Sequence, residues 1–132
     1  MIFTHELRVY YEDTDMAGIV YYANYLKFAE RGRSDAVRDM GIDQNEMKAR
    51  GLVFAVKSVM AEYHAPAIFG DVLLVETETS KLGGASLEMA QRVLRDGELI
   101  FSAVFRVACM DKAGRAARFP ADIRQKLQDS IA

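Results

Sequence analysis

The stretch YYEDTDMAGIVYYANYLKFAERGR, Tyr10 to Arg33, changes its periodicity halfway along. Its first residues continue a short strand over 5–12. Glu12-Asp13-Thr14-Asp15 then reads as a turn, and Gly18 admits either a positive φ or a close approach of something bulky to the backbone. Beyond it Tyr25, Leu26, Ala29, Gly32, Ala36, Val37 and Met40 recur at helical spacing, with Lys27, Glu30, Arg31, Asp35, Arg38 and Asp39 between them. That pattern predicts an amphipathic helix from about Ala23 to Met40. Gly41 suits a left-handed stop, with Arg38 favourably placed in the final turn. A second short helix over Asp43 to Arg50 is expected, with Asp43 as its N-cap and Glu46 completing a capping box.

From Val53 the period becomes two. Runs over 53–64, 71–81, 85–96 and 98–111 alternate apolar and polar residues or are mostly apolar, and turn residues bound each one. Gly83-Gly84 and Asp96-Gly97 suit hairpins, because both pairs tolerate positive φ. The last run is apolar on one face through Leu99, Phe101, Ala103, Phe105 and Val107, and nearly so on the other, so it reads as central or covered on both sides. A closing helix from about Pro120 to Ile131 carries Ile123, Leu127 and Ile131 at spacing four. The expected architecture is α+β, one long helix against an antiparallel sheet of about five strands, with residues 1–132 forming a single domain. Pairing with a second copy is one way to cover the edges of such a sheet.

The chain has 132 residues, half of them apolar and about a quarter charged, with a formal net charge of −2. This balance predicts a globular domain with a real core and gives no global attraction to nucleic acid or to an anionic membrane. No apolar run approaches a membrane span, and the first residues do not resemble a signal peptide. The lone Cys109 lies in an apolar run and reads as a buried structural thiol. A cytoplasmic protein is the expectation.

Two readings of the aspartates compete. Aspartates before a helix are commonly turn formers or caps, and spacing alone favours that role. The other reading is chemical: Asp15 is followed within one short loop by the first free N–H groups of a helix, near Tyr22, Ala23 and Asn24. A carboxylate beside unpaired, partially positive amides is sufficient for acyl transfer. Neither His5 nor His64 has zinc-like spacing, and the D-x-D pair lacks the further ligands of a calcium loop, so no metal and no cofactor is expected. His64 reads most simply as a strand-end residue. Serine-triad, P-loop and dinucleotide motifs are missing from the sequence.

The segment YEDTDMAGIVYYANYLKFAERGRSD closely resembles the signature of the 4-hydroxybenzoyl-CoA thioesterase family of hotdog-fold proteins, in particular its Tol-Pal-associated acyl-CoA thioesterase branch. The HAPAIFGDVLLVET segment and the Pro-initiated last helix sit where that family has them. The resemblance implies a hotdog fold and hydrolysis of a short-chain or aromatic acyl-CoA. It implies that Asp15 is catalytic and that an amide at Tyr22 or a near neighbour polarises the thioester carbonyl. Gly18, Val20, Tyr21 and Tyr25 are the implied substrate-binding residues. Many members of the branch carry histidine where this chain has Tyr22; a backbone donor survives that change, and a dehydratase, which would need the histidine base, is disfavoured.

Homo-oligomers, dimers or tetramers with sites at subunit interfaces, are implied as well. The alternative reading is a module that binds an acyl carrier protein or a cell-envelope (Tol-Pal) partner without catalysis. Asp13 is expected to shape the turn, and Glu30 and Arg33 to form a local pair. Lys57, Arg92, Arg106, Arg115 and Arg118 are expected near CoA phosphates or on a solvated face.

Overall fold

The computed structural model describes residues 1–131. In chain order it contains strand β1 (Phe3–Arg8), helices α1 (Asn24–Asp39) and α2 (Gln44–Ala49), strands β2 (Val53–Tyr63), β3 (Val72–Leu82), β4 (Ser86–Arg95) and β5 (Glu98–Met110), and helix α3 (Ala121–Ile131). The strands form one antiparallel sheet in the order β1-β3-β4-β5-β2, as the α+β reading requires.

Strand β1 stops earlier than the sequence suggests. The Asp13 carboxylate accepts the Tyr10 N–H at 2.8 Å and folds Tyr11–Asp13 into a 3₁₀ turn, so Asp13 shapes the turn as expected. Helix α1 buries Tyr25, Phe28, Ala29, Gly32, Ala36 and Val37. Leu26, assigned to the apolar stripe from spacing, is exposed, and Phe28 takes its place in the core. The helix closes as predicted, with Gly41 in the left-handed region at φ 88°. Asp43 caps α2 by accepting from the N–H groups of Asn45 and Glu46; Glu46 pairs with Arg50 at 3.5 Å rather than reaching back to the cap.

Strands β3, β4 and β5 form the expected meander. Asp96 and Gly97 both have positive φ, as a tight β4–β5 hairpin demands. The β3–β4 connection differs, because neither Gly83 nor Gly84 lies in the left-handed region. Gly84 serves close approach instead: a Cβ there would sit 3.3 Å from Arg118 Nη1. Strand β5 is interior to the sheet but covered on one side only, since Val104 and Arg106 are exposed. In α3, Ile123 and Leu127 are buried, whereas Ser130, not Ile131, completes the inner face.

Helix α1 packs chiefly on β1 and β3. It descends close to the sheet at Gly32, opposite Val75, Thr77 and Gln91. Gln91 is buried at 1% exposure and donates through Nε2 to Ala29 O and to Thr77 Oγ1, both at 2.8 Å. These two bonds satisfy a buried amide that would otherwise cost about 1–3 kcal/mol, and they pin α1 to β3 and β4. The other half of the sheet is less well covered. On the helix-facing side of β2, opposite Phe101, Ala103, Phe105, Val107 and Cys109, lie Tyr63, Ala61, Val59, Val56 and Phe54. Val56, Val59 and Tyr63 remain exposed, which leaves an apolar free edge.

Candidate functional site

The loop from Thr14 to Ala23 is built on backbone pairings. Thr14 and Val20 form an antiparallel bridge, as do Ile19 and Ile68. The Asp15 N–H donates to Ile19 O at 2.9 Å, and the Gly18 N–H donates to Asp15 O at 3.0 Å. Gly18 turns the loop at φ 82°, and a Cβ there would meet nothing within 4 Å, so backbone conformation rather than close approach explains the glycine. The Asp15 carboxylate is exposed. Its Oδ1 accepts the Ala17 N–H at 2.9 Å, an Asx-type bond, while Oδ2 has no protein donor among the described residues.

The start of α1 is anchored from the same loop. Asp13 O accepts both the Tyr21 N–H, at 2.9 Å, and Asn24 Nδ2, at 2.8 Å. Tyr22 lies two residues before α1. Its N–H has no acceptor among the described residues, and its carbonyl accepts the Tyr63 hydroxyl at 2.9 Å. A cleft of about 340 Å³ opens here, walled by Ile19, Val20, Tyr22, Tyr25 and Tyr63 and by the 64–66 segment. Of the six residues singled out from sequence, Val20, Tyr22 and Tyr25 line this cleft. Asp15, Gly18 and Tyr21 do not; Asp15 is held beside the lining residue Ile19, and Tyr21 packs its ring on Tyr22 at 4.9 Å.

Aromatic packing fixes the cleft's shape. Tyr25 stacks on Phe101 at 5.1 Å and meets Tyr63 edge-on at 5.5 Å, and its hydroxyl oxygen accepts the Ala67 N–H. Burial pushes the Tyr25 phenol up, and burial together with the neighbouring Tyr22 pushes the Tyr63 phenol up, so both stay protonated at neutral pH. The far wall is braced by Arg95, which donates to Pro66 O at 2.8 Å and pairs with Asp71 at 2.9 Å. Burial alone would raise the Asp71 carboxyl; the Ile68 N–H and the Arg95 guanidinium outweigh it and hold that carboxyl below the usual carboxylate range. His64 lines the cleft and bonds Ser102 Oγ at 2.9 Å.

Sequence reasoning missed Tyr63. The alternation of β2 puts it on the helix-facing side, but nothing in the sequence shows that its hydroxyl reaches the Tyr22 carbonyl. The expected Glu30–Arg33 pair does not form. Glu30 accepts from Ser34 Oγ at 2.9 Å, and Arg33 turns instead to Gln91 Oε1 at 3.0 Å. Among the proposed phosphate contacts, Arg92 is engaged with Glu76 and Glu78 and Arg115 lies 3.7 Å from Asp111, while Lys57, Arg106 and Arg118 form no ion pair among the described residues. Cys109 is fully buried and its thiol is pushed up by that burial, as suits a structural role. No described helix is long and apolar enough to cross a membrane.

Residues 9–127 match the thioesterase-like superfamily. The acyl-CoA thioesterase YbgC of Haemophilus influenzae is 37% identical over 124 residues, covering 92% of this chain and 91% of that protein. The acyl-CoA thioester hydrolase YbgC of Escherichia coli O6:H1 is 38% identical over 111 residues, 83% of each chain. Among solved structures, a hypothetical protein from Thermus thermophilus superposes with a TM-score of 0.92 at 32% identity, over 97% of this chain and 98% of that one. A 4-hydroxybenzoyl CoA thioesterase variant, complexed with 4-hydroxybenzoyl CoA, superposes with a TM-score of 0.88 at 25% identity, over 96% and 98% of the two chains. The chain belongs to the thioesterase-like superfamily and is a thioester hydrolase of the hotdog fold.

Proposed function

We propose that this protein hydrolyses acyl-CoA thioesters carrying a short or aromatic acyl group, with Asp15 and the Tyr22 N–H as its catalytic groups. The observation that carries the reading is the Tyr22 peptide. Its N–H is unpaired among the described residues, it borders a cleft, and the Tyr63 hydroxyl on its carbonyl holds the residue in place. An unpaired, preorganised donor is suited to the oxyanion that forms when a thioester carbonyl is attacked.

Asp15 acts in one of two ways. As nucleophile, a carboxylate oxygen bonds to the acyl carbon, the C–S bond breaks with its electron pair leaving on CoA thiolate, and water then cleaves the mixed anhydride. As general base, it takes the proton of a water that attacks the acyl carbon directly. Thiolate is a good leaving group, so no strong general acid is required. Val20 and Tyr25 contact the substrate through the cleft wall; Gly18 sets the loop, and Tyr21 buttresses Tyr22.

The active species in this reading is a homodimer or a larger assembly built on it, joined at the free edge of β2. Antiparallel pairing of β2 with its two-fold copy, with residues of like face opposed, sets Tyr63 of one subunit against the partner's Phe54 and Ala61 against the partner's Val56. This register buries the apolar edge and continues the sheet across the interface.

Release of free thiol from acetyl-, hexanoyl- and benzoyl-CoA, measured beside Asp15→Asn, tests the assignment. The variant keeps the shape of the loop and its native circular dichroism and loses turnover by about 10³-fold or more. Undiminished thiol release by the folded variant removes Asp15 from the mechanism, and release from none of the thioesters by the wild type favours the binding-module alternative, with an acyl carrier protein as partner.

A further inference from the structure

A second cavity, of about 220 Å³, lies under the C-terminal half of α1, away from the Tyr22 cleft. Phe54, Val56, Leu87, Met89, Val107 and Leu127 make most of it apolar, and Glu30, Arg33, Ser34 and Gln44 form its polar wall. The guanidinium lies over the Phe105 ring at 4.1 Å and donates once, from Nη1 to Gln91 Oε1. Gln91 is itself fixed by its two bonds to Ala29 O and Thr77 Oγ1. The ring and the amide therefore hold the guanidinium in one orientation.

No carboxylate lies within ion-pair distance of Arg33 among the described residues, in contrast to Arg38, Arg50, Arg92, Arg95 and Arg115. Glu30, on the same helix and on the same cavity wall, is exposed, accepts from Ser34 and acts on the guanidinium only through its charge, without an ion pair. Desolvation lowers the guanidinium's affinity for its proton, Glu30 partly offsets this, and the arginine stays charged. A planar cation with most of its donors unused, held beside an apolar chamber, is a receptor for a carboxylate at the end of a short hydrocarbon chain.

Within one subunit the two cavities are too far apart for one short acyl group. Tyr22 and Arg33 are eleven positions apart, nearly all of them along α1, roughly 16 Å at 1.5 Å per residue. The β2 pairing proposed above changes this. It opposes Tyr63, a wall of the cleft, with the partner's Phe54, a wall of the second cavity, on adjacent strands about 4.8 Å apart.

We infer that Arg33 is a specificity-determining residue supplied in trans: with the thioester at the Tyr22 amide of one subunit, the acyl chain enters the second subunit's cavity and its terminal carboxylate pairs with Arg33. The preferred substrates are accordingly ω-carboxyacyl-CoA thioesters. This inference rests on the thioesterase reading and on the β2 dimer.

The test compares adipyl- and suberyl-CoA with hexanoyl- and octanoyl-CoA, which have the same chain lengths but methyl ends. The wild type favours the carboxyacyl series in kcat/KM. Arg33→Met keeps an unbranched stem on Phe105, and the ratio of carboxyacyl to methyl-ended kcat/KM falls about 10–100-fold, the range expected for a charged hydrogen bond. Arg33→Lys keeps the charge without the fork and retains part of the preference, which guards against a packing defect in the methionine variant.

Placement in trans is read by mixing subunits. Random reassociation of Asp15→Asn with Arg33→Met chains yields roughly a quarter of the wild-type sites intact on adipyl-CoA if the two residues come from different subunits, and none if they come from one. Equal hydrolysis of both series by the wild type, an unchanged ratio in both Arg33 variants, or no recovery on mixing overturns the inference and leaves thioester hydrolysis standing. No hydrolysis of any thioester removes the underlying reading as well.

Discussion

Replacing Gly32 with alanine tests the closest contact between helix and sheet. A Cβ at this position would lie 2.6 Å from Val75 Cγ1 and 3.2 Å from both Gln91 Nε2 and Thr77 Oγ1. Ordinary carbon contacts are about 3.5–4.0 Å, so Val75 must retreat by about 1 Å. It has nowhere to go, being fully buried. Gln91 is equally fixed, because Nε2 is committed to Ala29 O and Thr77 Oγ1 at 2.8 Å each. Overpacking costs about 1–3 kcal/mol, and with its neighbours locked this site belongs at the upper end. Alanine regains about 1 kcal/mol of helix propensity over glycine. The net is a loss of about 2 kcal/mol, or a fall in Tm of roughly 6–10 °C for a chain of this size. Thermal and urea unfolding followed by circular dichroism measure it, and Val75→Ala in the same chain should recover part of the loss, so that the two substitutions are not additive. An unchanged or raised Tm for Gly32→Ala, or strict additivity with Val75→Ala, refutes the argument, since either means that propensity rather than contact governs the position.

Two further outcomes follow from the site. Tyr63→Phe removes the hydroxyl from the Tyr22 carbonyl but keeps the ring between Tyr25 and Phe101, so kcat should fall several-fold with little change in KM and at most ~1 kcal/mol of stability lost; a KM effect alone, read in steady-state kinetics, would place the hydroxyl in binding instead. Asp71 has a depressed carboxyl pKa in the fold, so its contribution is fully present above the unfolded value near 4 and is lost as the pH falls through the lower folded value. The Tm gap between the wild type and Asp71→Asn should therefore be widest at neutral pH and close as the pH is lowered towards 3, and a gap that stays constant would show that the carboxylate's charge contributes nothing to bracing the cleft wall.

What the sequence disclosed and what it withheld divide along a physical line. Periodicity located α1 within a residue at each end and the four later strands within one or two, because local pattern reports which face of an element meets the core. It misassigned Leu26 and passed over Phe28, since the two flank the helix stripe on opposite sides and the direction of the sheet beneath, set by β1 and β3, decides which flank is buried. The turn chemistry of Asp13 was legible because an Asx-type bond spans three residues. Tyr63 on Tyr22 and Arg33 on Gln91 were not, because each joins residues some 40 to 60 positions apart that only the completed sheet brings together. The same asymmetry governs function. Because α1 covers the β1–β3 side of the sheet, it leaves β2 with an apolar free edge and leaves Arg33 at the margin of the core with no carboxylate partner among the described residues. An isolated chain would have no use for either feature. If β2 meets its two-fold copy, one geometric fact accounts for both: the edge is buried, and the unpaired cation is brought beside the cleft where the thioester is held.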